Sequence, residues 1–148
     1  QNPEYTTLFG PVSISADYRP SSRQLLAAFR KQNAYRHPWS RWVHPRFPFK
    51  ENPSRVVRQG VGALRDLEDV SRFIAEIEED DKGMPILLRQ YLKLGGRLLG
   101  FNVDPDFADV LDILLMVDLR ETPIKTLTRY MGRDGAALFL ARHAISTS

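Results

Sequence analysis

The feature that most constrains this chain is the segment Leu111–Leu119, Leu-Asp-Ile-Leu-Leu-Met-Val-Asp-Leu. Its apolar content is nearly continuous, yet it is far shorter than the roughly 18 residues a spanning helix requires. A short run rich in Leu, Ile and Val reads as a strand buried on both faces. Such a strand needs a sheet and covering layers around it. Arg97 to Val103 reads as another strand, leaving through Asp104-Pro105. Tyr5 to Ser15 reads as the opening strand, with Leu8, Val12 and Ile14 as its apolar positions. Gly10-Pro11 interrupts it and predicts a bulge or an edge position.

The rest of the pattern is helical. Ser21 and Gln24 have capping-box spacing ahead of a stripe of Leu25, Leu26 and Phe29, in a helix that fades near Asn33 to Tyr35. Asp66 is placed to cap a helix carrying Leu67, Val70, Phe73, Ile74 and Ile77 on one face. Pro85 suits the first turn of a helix over Ile86 to Leu94, which Gly95-Gly96 stops. Thr122-Pro123 opens a helix to Met131, Gly132 closes it, and Asp134 to Ala144 forms the last one. The predicted class is α/β, a small mixed sheet with flanking helices, in one domain or half-domain over residues 1–148. So small a sheet beside five helices reads as part of a larger layer. The opening strand is expected to need a neighbour from another segment. The polar start Gln1-Asn2-Pro3-Glu4, with no initiator Met, is expected to mark a fragment or a processed chain.

Charge is segregated. Between Arg19 and Arg65 stand eleven Lys or Arg and a single acid, Glu51, whereas the whole chain carries only +3. A basic block favours an anionic partner: lipid headgroups, an acidic carrier protein, cofactor phosphates or nucleic acid. Within it, Pro38, Pro45, Pro48 and Pro53 exclude a long helix over residues 36–58. Trp39, Trp42, Val43, Phe47 and Phe49 are too apolar for a disordered linker. The expectation is an ordered loop with aromatics packed and arginines outward. Nucleic acid ranks last as its partner, because no reading motif accompanies the bases.

The absence of Cys excludes disulfides, a thiolate nucleophile and Cys-based zinc sites. His37, His44 and His143 lack metal-ligand spacing, so no metal site is expected. No Gly-x-Ser-x-Gly elbow is present. Gly60-Val61-Gly62-Ala63 is the best candidate for a phosphate loop. It lacks a Lys-Ser/Thr ending, and Val57 stands where an acyl-CoA loop carries Gln or Arg, so it reads as a turn. Asn102, Asp104, Asp106 and Asp109 follow the middle strand, either as substrate-orienting groups or as a turn with local Asx bonds. Asp112 and Asp118 read as markers of the ends of the apolar strand.

Several segments together resemble one family: Gly10-Pro-Val-Ser-Ile-Ser15, His44-Pro-Arg-Phe-Pro-Phe49, Met84 through Gly96, Gly100 through Phe107 and Leu111 through Leu119. Their order and spacing are similar to a bacterial family that carries the historical name hemolysin. It is related to the ornithine and glycine N-acyltransferases, which have the fold of the Gcn5-related acetyltransferases. The resemblance runs from about Leu8 to His143 and covers only the C-terminal half of such enzymes. It implies transfer of a 3-hydroxy-fatty acyl group from acyl carrier protein to the α-amino group of an amino acid, in aminolipid synthesis. The donor would be acyl-phosphopantetheine on the carrier, or acyl-CoA, with no covalently bound cofactor.

The resemblance also implies roles for residues. Leu8 to Ser15 would be the fifth strand, one wall of the donor cleft. The other wall would come from a preceding half or a second chain. Tyr18 and Tyr35 lie where related enzymes place an acid for the leaving thiolate. Ser13, Ser15 and Asn102 fall in substrate-binding segments. Arg89 or Arg46 would hold the acceptor carboxylate, and Asp104 its amine. Arg36, Arg41, Arg55 and Arg58, with Trp39 and Trp42, would dock on the acidic carrier or on the inner-membrane surface of a cytoplasmic enzyme. The competing expectation is a non-catalytic module that binds such a carrier or an anionic membrane.

Overall fold

Three strands make the sheet: β1 (Thr7–Ile14), β2 (Arg97–Asp104) and β3 (Val110–Asp118). The structure is a computed structural model and describes residues 4–30 and 36–143. The last strand lies between the other two, in the order β1-β3-β2, and both pairings are antiparallel. The sheet was expected to be mixed, but among the described residues its strands are antiparallel throughout. An isolated bridge of Arg36 with Leu98 is parallel.

Side-chain alternation divides the sheet into unequal faces. Val12, Ile14, Leu111, Ile113, Leu115, Leu98 and Phe101 are buried on one face. They pack with Leu25, Leu26 and Phe29 of α1 (Pro20–Phe29), Val57 of α2 (Arg55–Ala63), Val70 and Ile74 of α3 (Leu67–Ile77) and Leu88 of α4 (Ile86–Lys93). The opposite face carries Pro11, Ser13, Asp112, Leu114, Gly100 and Asn102. Among the described residues, the loop around residues 43–47 covers it. The expectation of a strand buried on both faces therefore holds for one face of β3 and only partly for the other, where Asp112 and Leu114 are half-exposed.

The two sheet edges differ. Leu119 N–H donates to Thr6 O, so Thr6 and every second residue after it in β1 point their backbone groups at β3. Thr7, Phe9, Pro11 and Ser13 consequently point theirs outward. Pro11, which has no N–H to offer, sits in that outward set, as an edge strand allows. Gly10-Pro11 is thus an edge position without a register shift, and the irregularity lies instead between Leu98 and Gly100 of β2. The β2 edge is closed by the loop, with Val103 N–H donating to Phe47 O at 2.8 Å and Phe49 N–H to Phe101 O at 3.4 Å. Gly100 permits this approach, because a Cβ there would lie 2.7 Å from Val43 Cγ1.

Helix boundaries follow local chemistry. Asp66 caps α3 by accepting from Asp69 N–H at 2.8 Å. The capping box at Ser21 and Gln24 does not form; α1 starts at Pro20, and its preceding N–H, on Arg19, is taken by Glu78 Oε1 at 2.8 Å. Gln24 instead ties down the loop, donating to Lys50 O and accepting from Asn52 N–H, both at 2.9 Å. Gly60-Val61-Gly62-Ala63 is not a turn but the end of α2, a helix capped by Ser54. Glycine at position 60 lets α2 lie against Phe73 of α3, since a Cβ would fall 2.1 Å from the ring. The last helix, α5 (Ile124–Arg142), breaks its helical geometry at Gly132, where φ is 75°. With Val117 and Leu119 it forms a second apolar cluster around Leu127, Ala136, Phe139 and Leu140.

Candidate functional site

The loop-covered face of the sheet gathers the polar groups. Register sets Ser13, Asp112 and Asn102 directly across from one another on three adjacent strands. The Ser13 hydroxyl donates to Asp112 Oδ1 at 2.6 Å. Asn102 Oδ1 accepts from Phe47 N–H at 2.7 Å, which fastens the loop over the row. Beside them is a cleft of about 250 Å³ lined by Pro11, Val43, Pro45, Arg46, Asn102 and Asp112, among others. Arg46 stacks over the Phe47 ring at 5.2 Å and has no acidic partner among the described residues. A carboxylate and a guanidinium thus border one small cleft whose other named lining residues, Asn102 apart, are apolar. That pairing suits a zwitterionic ligand, with a cationic group at Asp112 and an anionic one at Arg46.

Of the residues singled out in the sequence, Ser13, Asn102 and Arg46 come together here. Asp104 is on the same face two residues beyond Asn102, but its side chain caps the following turn by accepting from Asp106 N–H at 3.0 Å. The Asx reading of that cluster is therefore the observed one for Asp104. Asp112 was read only as a strand-end marker. Its position opposite Ser13 follows from register, which no local pattern reveals.

The others stand elsewhere. Ser15 donates to Asp17 Oδ2 at 2.9 Å within the turn after β1. Tyr18 packs on the core side, its hydroxyl donating to Gly83 O at 3.0 Å, with Lys82 Nζ 4.6 Å from its ring. Burial, and then the charges of Glu78 and Asp80, raise its pKa. A phenol in that state is a weaker acid and its proton is already engaged. Tyr35 lies outside the described residues. Arg89, on α4 beneath the core face, is ion-paired with Glu68.

The basic loop forms a second concentration of chemistry. Pro38–Trp42 is a 3-10 turn started by His37, whose Nδ1 accepts from Trp39 N–H at 3.1 Å. Trp39 stacks on Phe9 of β1 with ring centroids 6.1 Å apart. The aromatics were expected to pack, but Trp42 is 68% exposed and Trp39 48% exposed. Arg55 and Arg58 are on the exposed side of α2 rather than in the loop.

Comparison with family models, with curated proteins and with solved structures finds no match to this chain. Among the described residues no helix is long and apolar enough to cross a membrane.

Proposed function

We propose that this chain is the acceptor-side part of an N-acyltransferase that joins an acyl group from acyl carrier protein to the α-amino group of an amino acid such as ornithine or glycine. One observation carries the reading: Asp112, oriented by Ser13, and Arg46 border the same small cleft. An α-amino acid offers the complementary pair of charges. Arg46 takes its carboxylate, and Asp112 Oδ2, which has no protein partner among the described residues, takes its ammonium. Asp112 replaces Asp104 in that role, because Asp104 is committed to its turn.

The chemistry then balances simply. Asp112 accepts one ammonium proton, which frees the nitrogen lone pair for attack on the thioester carbonyl. The C–N bond forms and the C–S bond breaks. The nitrogen gives up a second proton, and the departing pantetheine thiolate takes one up. The sequence resemblance supports a Gcn5-related layer in which the donor lies beside the fifth strand. The outer edge of β1, which pairs with no strand among the described residues, agrees with that reading, since a donor cleft there needs a further strand from a preceding segment or a second chain. Arg55 and Arg58 on α2 are the proposed contacts for the acidic carrier.

The deciding experiment incubates the full-length protein with 3-hydroxyacyl carrier thioester and each amino acid, and reads the lipid products by mass. Amide formation that Asp112→Asn abolishes, with the fold intact, is the expected result. No amide with any acceptor ends the proposal.

A further inference from the structure

A basic cavity lies apart from the acceptor cleft and shares none of its named lining residues. It has a volume of about 460 Å³ and is lined by Arg30, Arg36, Ser40, Arg41 and Leu98. No carboxylate lines it among the described residues. Arg30 is already ion-paired with Glu51 and lies 5.3 Å from the centre of the Phe101 ring, so it contributes shape more than free charge. Arg36 and Arg41 have no ion pair among the described residues. Two unneutralised guanidiniums and a hydroxyl around one cavity suit an oxyanion, and a phosphate group above all.

What surrounds the cavity narrows the source of that phosphate. Ser40 and Arg41 belong to the same 3-10 turn as Trp39 and Trp42, and both indoles face solvent. Phe9, stacked on Trp39, is 56% exposed, and Phe47 is exposed beside Arg46. Arg41 lies over Trp42 at 5.0 Å, an arrangement that keeps the cation beside the ring. An acidic protein surface would answer the arginines and leave the indoles wet. A bilayer surface answers both, because indoles favour the headgroup level and guanidiniums favour lipid phosphates.

We propose that the Arg36–Ser40–Arg41 cavity and the Trp39–Trp42 turn form a peripheral docking site for an anionic phospholipid bilayer, with a headgroup phosphate in the cavity. The proposal goes beyond acyl transfer and does not require it. Binding is superficial: one turn enters the headgroup layer and no helix inserts.

The sequence supplies its own probe, because Trp39 and Trp42 are its only tryptophans. Vesicles of phosphatidylcholine with about 30 mol% phosphatidylglycerol, in about 0.1 M NaCl, are expected to shift tryptophan emission to shorter wavelength. Lipids brominated near the headgroup end of the chains are expected to quench it, and pure phosphatidylcholine to leave it unchanged. Replacing both arginines, Arg36→Ala with Arg41→Ala, is expected to lower the partition coefficient about tenfold or more. The matched control, Arg129→Ala with Arg133→Ala on α5, removes the same net charge and should stay within about twofold. The proposal is overturned by an unchanged spectrum with anionic vesicles, or by equal losses in the two double variants. A spectral response to acyl carrier protein but not to vesicles overturns it as well. None of these outcomes touches the amide assay, so the acyl-transfer reading stands or falls separately.

Discussion

Two glycines in one helix should respond in opposite directions to the same methyl group. Gly60 and Gly62 both lie in α2. In each, alanine removes backbone freedom from the unfolded chain and gains about 0.5–1 kcal/mol of helix stability. At Gly62 nothing lies within 4 Å of the added Cβ, so that gain is the whole effect. At Gly60 the Cβ would meet Phe73 Cε1 at 2.1 Å and Cζ at 2.6 Å. Carbon atoms need about 3.5–4 Å, so the ring or the helix must retreat by more than an ångström. Phe73 is packed against the main core, and overpacking of this kind costs about 1–3 kcal/mol.

The intrinsic gain is common to both variants and cancels in their difference. What remains is the overlap, so Gly62→Ala should exceed Gly60→Ala in stability by about 1–3 kcal/mol. With a urea slope of about 1–3 kcal/mol per molar, that is a separation near 1 M in unfolding midpoint. Phe73→Leu, which shortens the side chain at the contact, should remove most of the penalty of Gly60→Ala when the two are combined. Equal midpoints for the two alanine variants, or additive behaviour of Gly60→Ala with Phe73→Leu, would refute the α2–α3 contact.

Three further outcomes test other parts of the structure. Thr122, 4% exposed, donates to Leu94 O at 2.7 Å, so Thr122→Val should cost about 1–3 kcal/mol in urea unfolding by leaving that carbonyl unpaired; a neutral result removes the bond from the account. Asp118 is held below its ordinary pKa chiefly by the side-chain hydrogen bonds of Arg120, one of them 2.9 Å from Nε to Oδ1. A depressed carboxyl stabilises fully above its unfolded pKa and loses that contribution as pH falls through the folded one, so the deficit of Asp118→Asn should be constant near neutrality and shrink below about pH 4. A pH-independent deficit contradicts it. Asn102→Ala removes the acceptor for Phe47 N–H, and hydrogen exchange at that amide should quicken while the core amides of β3 stay protected.

Elements were legible wherever one short stretch carried the whole instruction. Asp66 caps α3 from its own side chain, and Gly132 breaks α5 through its own backbone, so both could be read in place. Gly60-Val61-Gly62 failed for the opposite reason. Two glycines lower helix propensity, but Phe73, thirteen residues further along, makes one of them a packing requirement, and Ser54 supplies the helix start. Gln24 failed likewise, since its amide serves Lys50 and Asn52 rather than its own helix. The apolar run of β3 announced a strand, yet hydropathy alone did not distinguish a second layer of helices from a loop laid over Leu114.

The candidate site is the extreme case of this limit. Ser13, Asn102 and Asp112 are three polar residues on three strands, and what makes them a row is the register of two antiparallel pairings. Period-two alternation means that sliding β1 by one residue would turn Ser13 toward the core and bring Val12 out to the face of Asp112. The burial of Val12 and Ile14 prevents that slip, because neither can be exposed without losing roughly 1.5–3 kcal/mol of apolar burial. Val12 and Ile14 therefore fix the partner of Asp112 although neither lines the cleft. Substituting Val12 by Thr should weaken this hold on register, and with it the Ser13–Asp112 bond, before any residue of the cleft itself is changed.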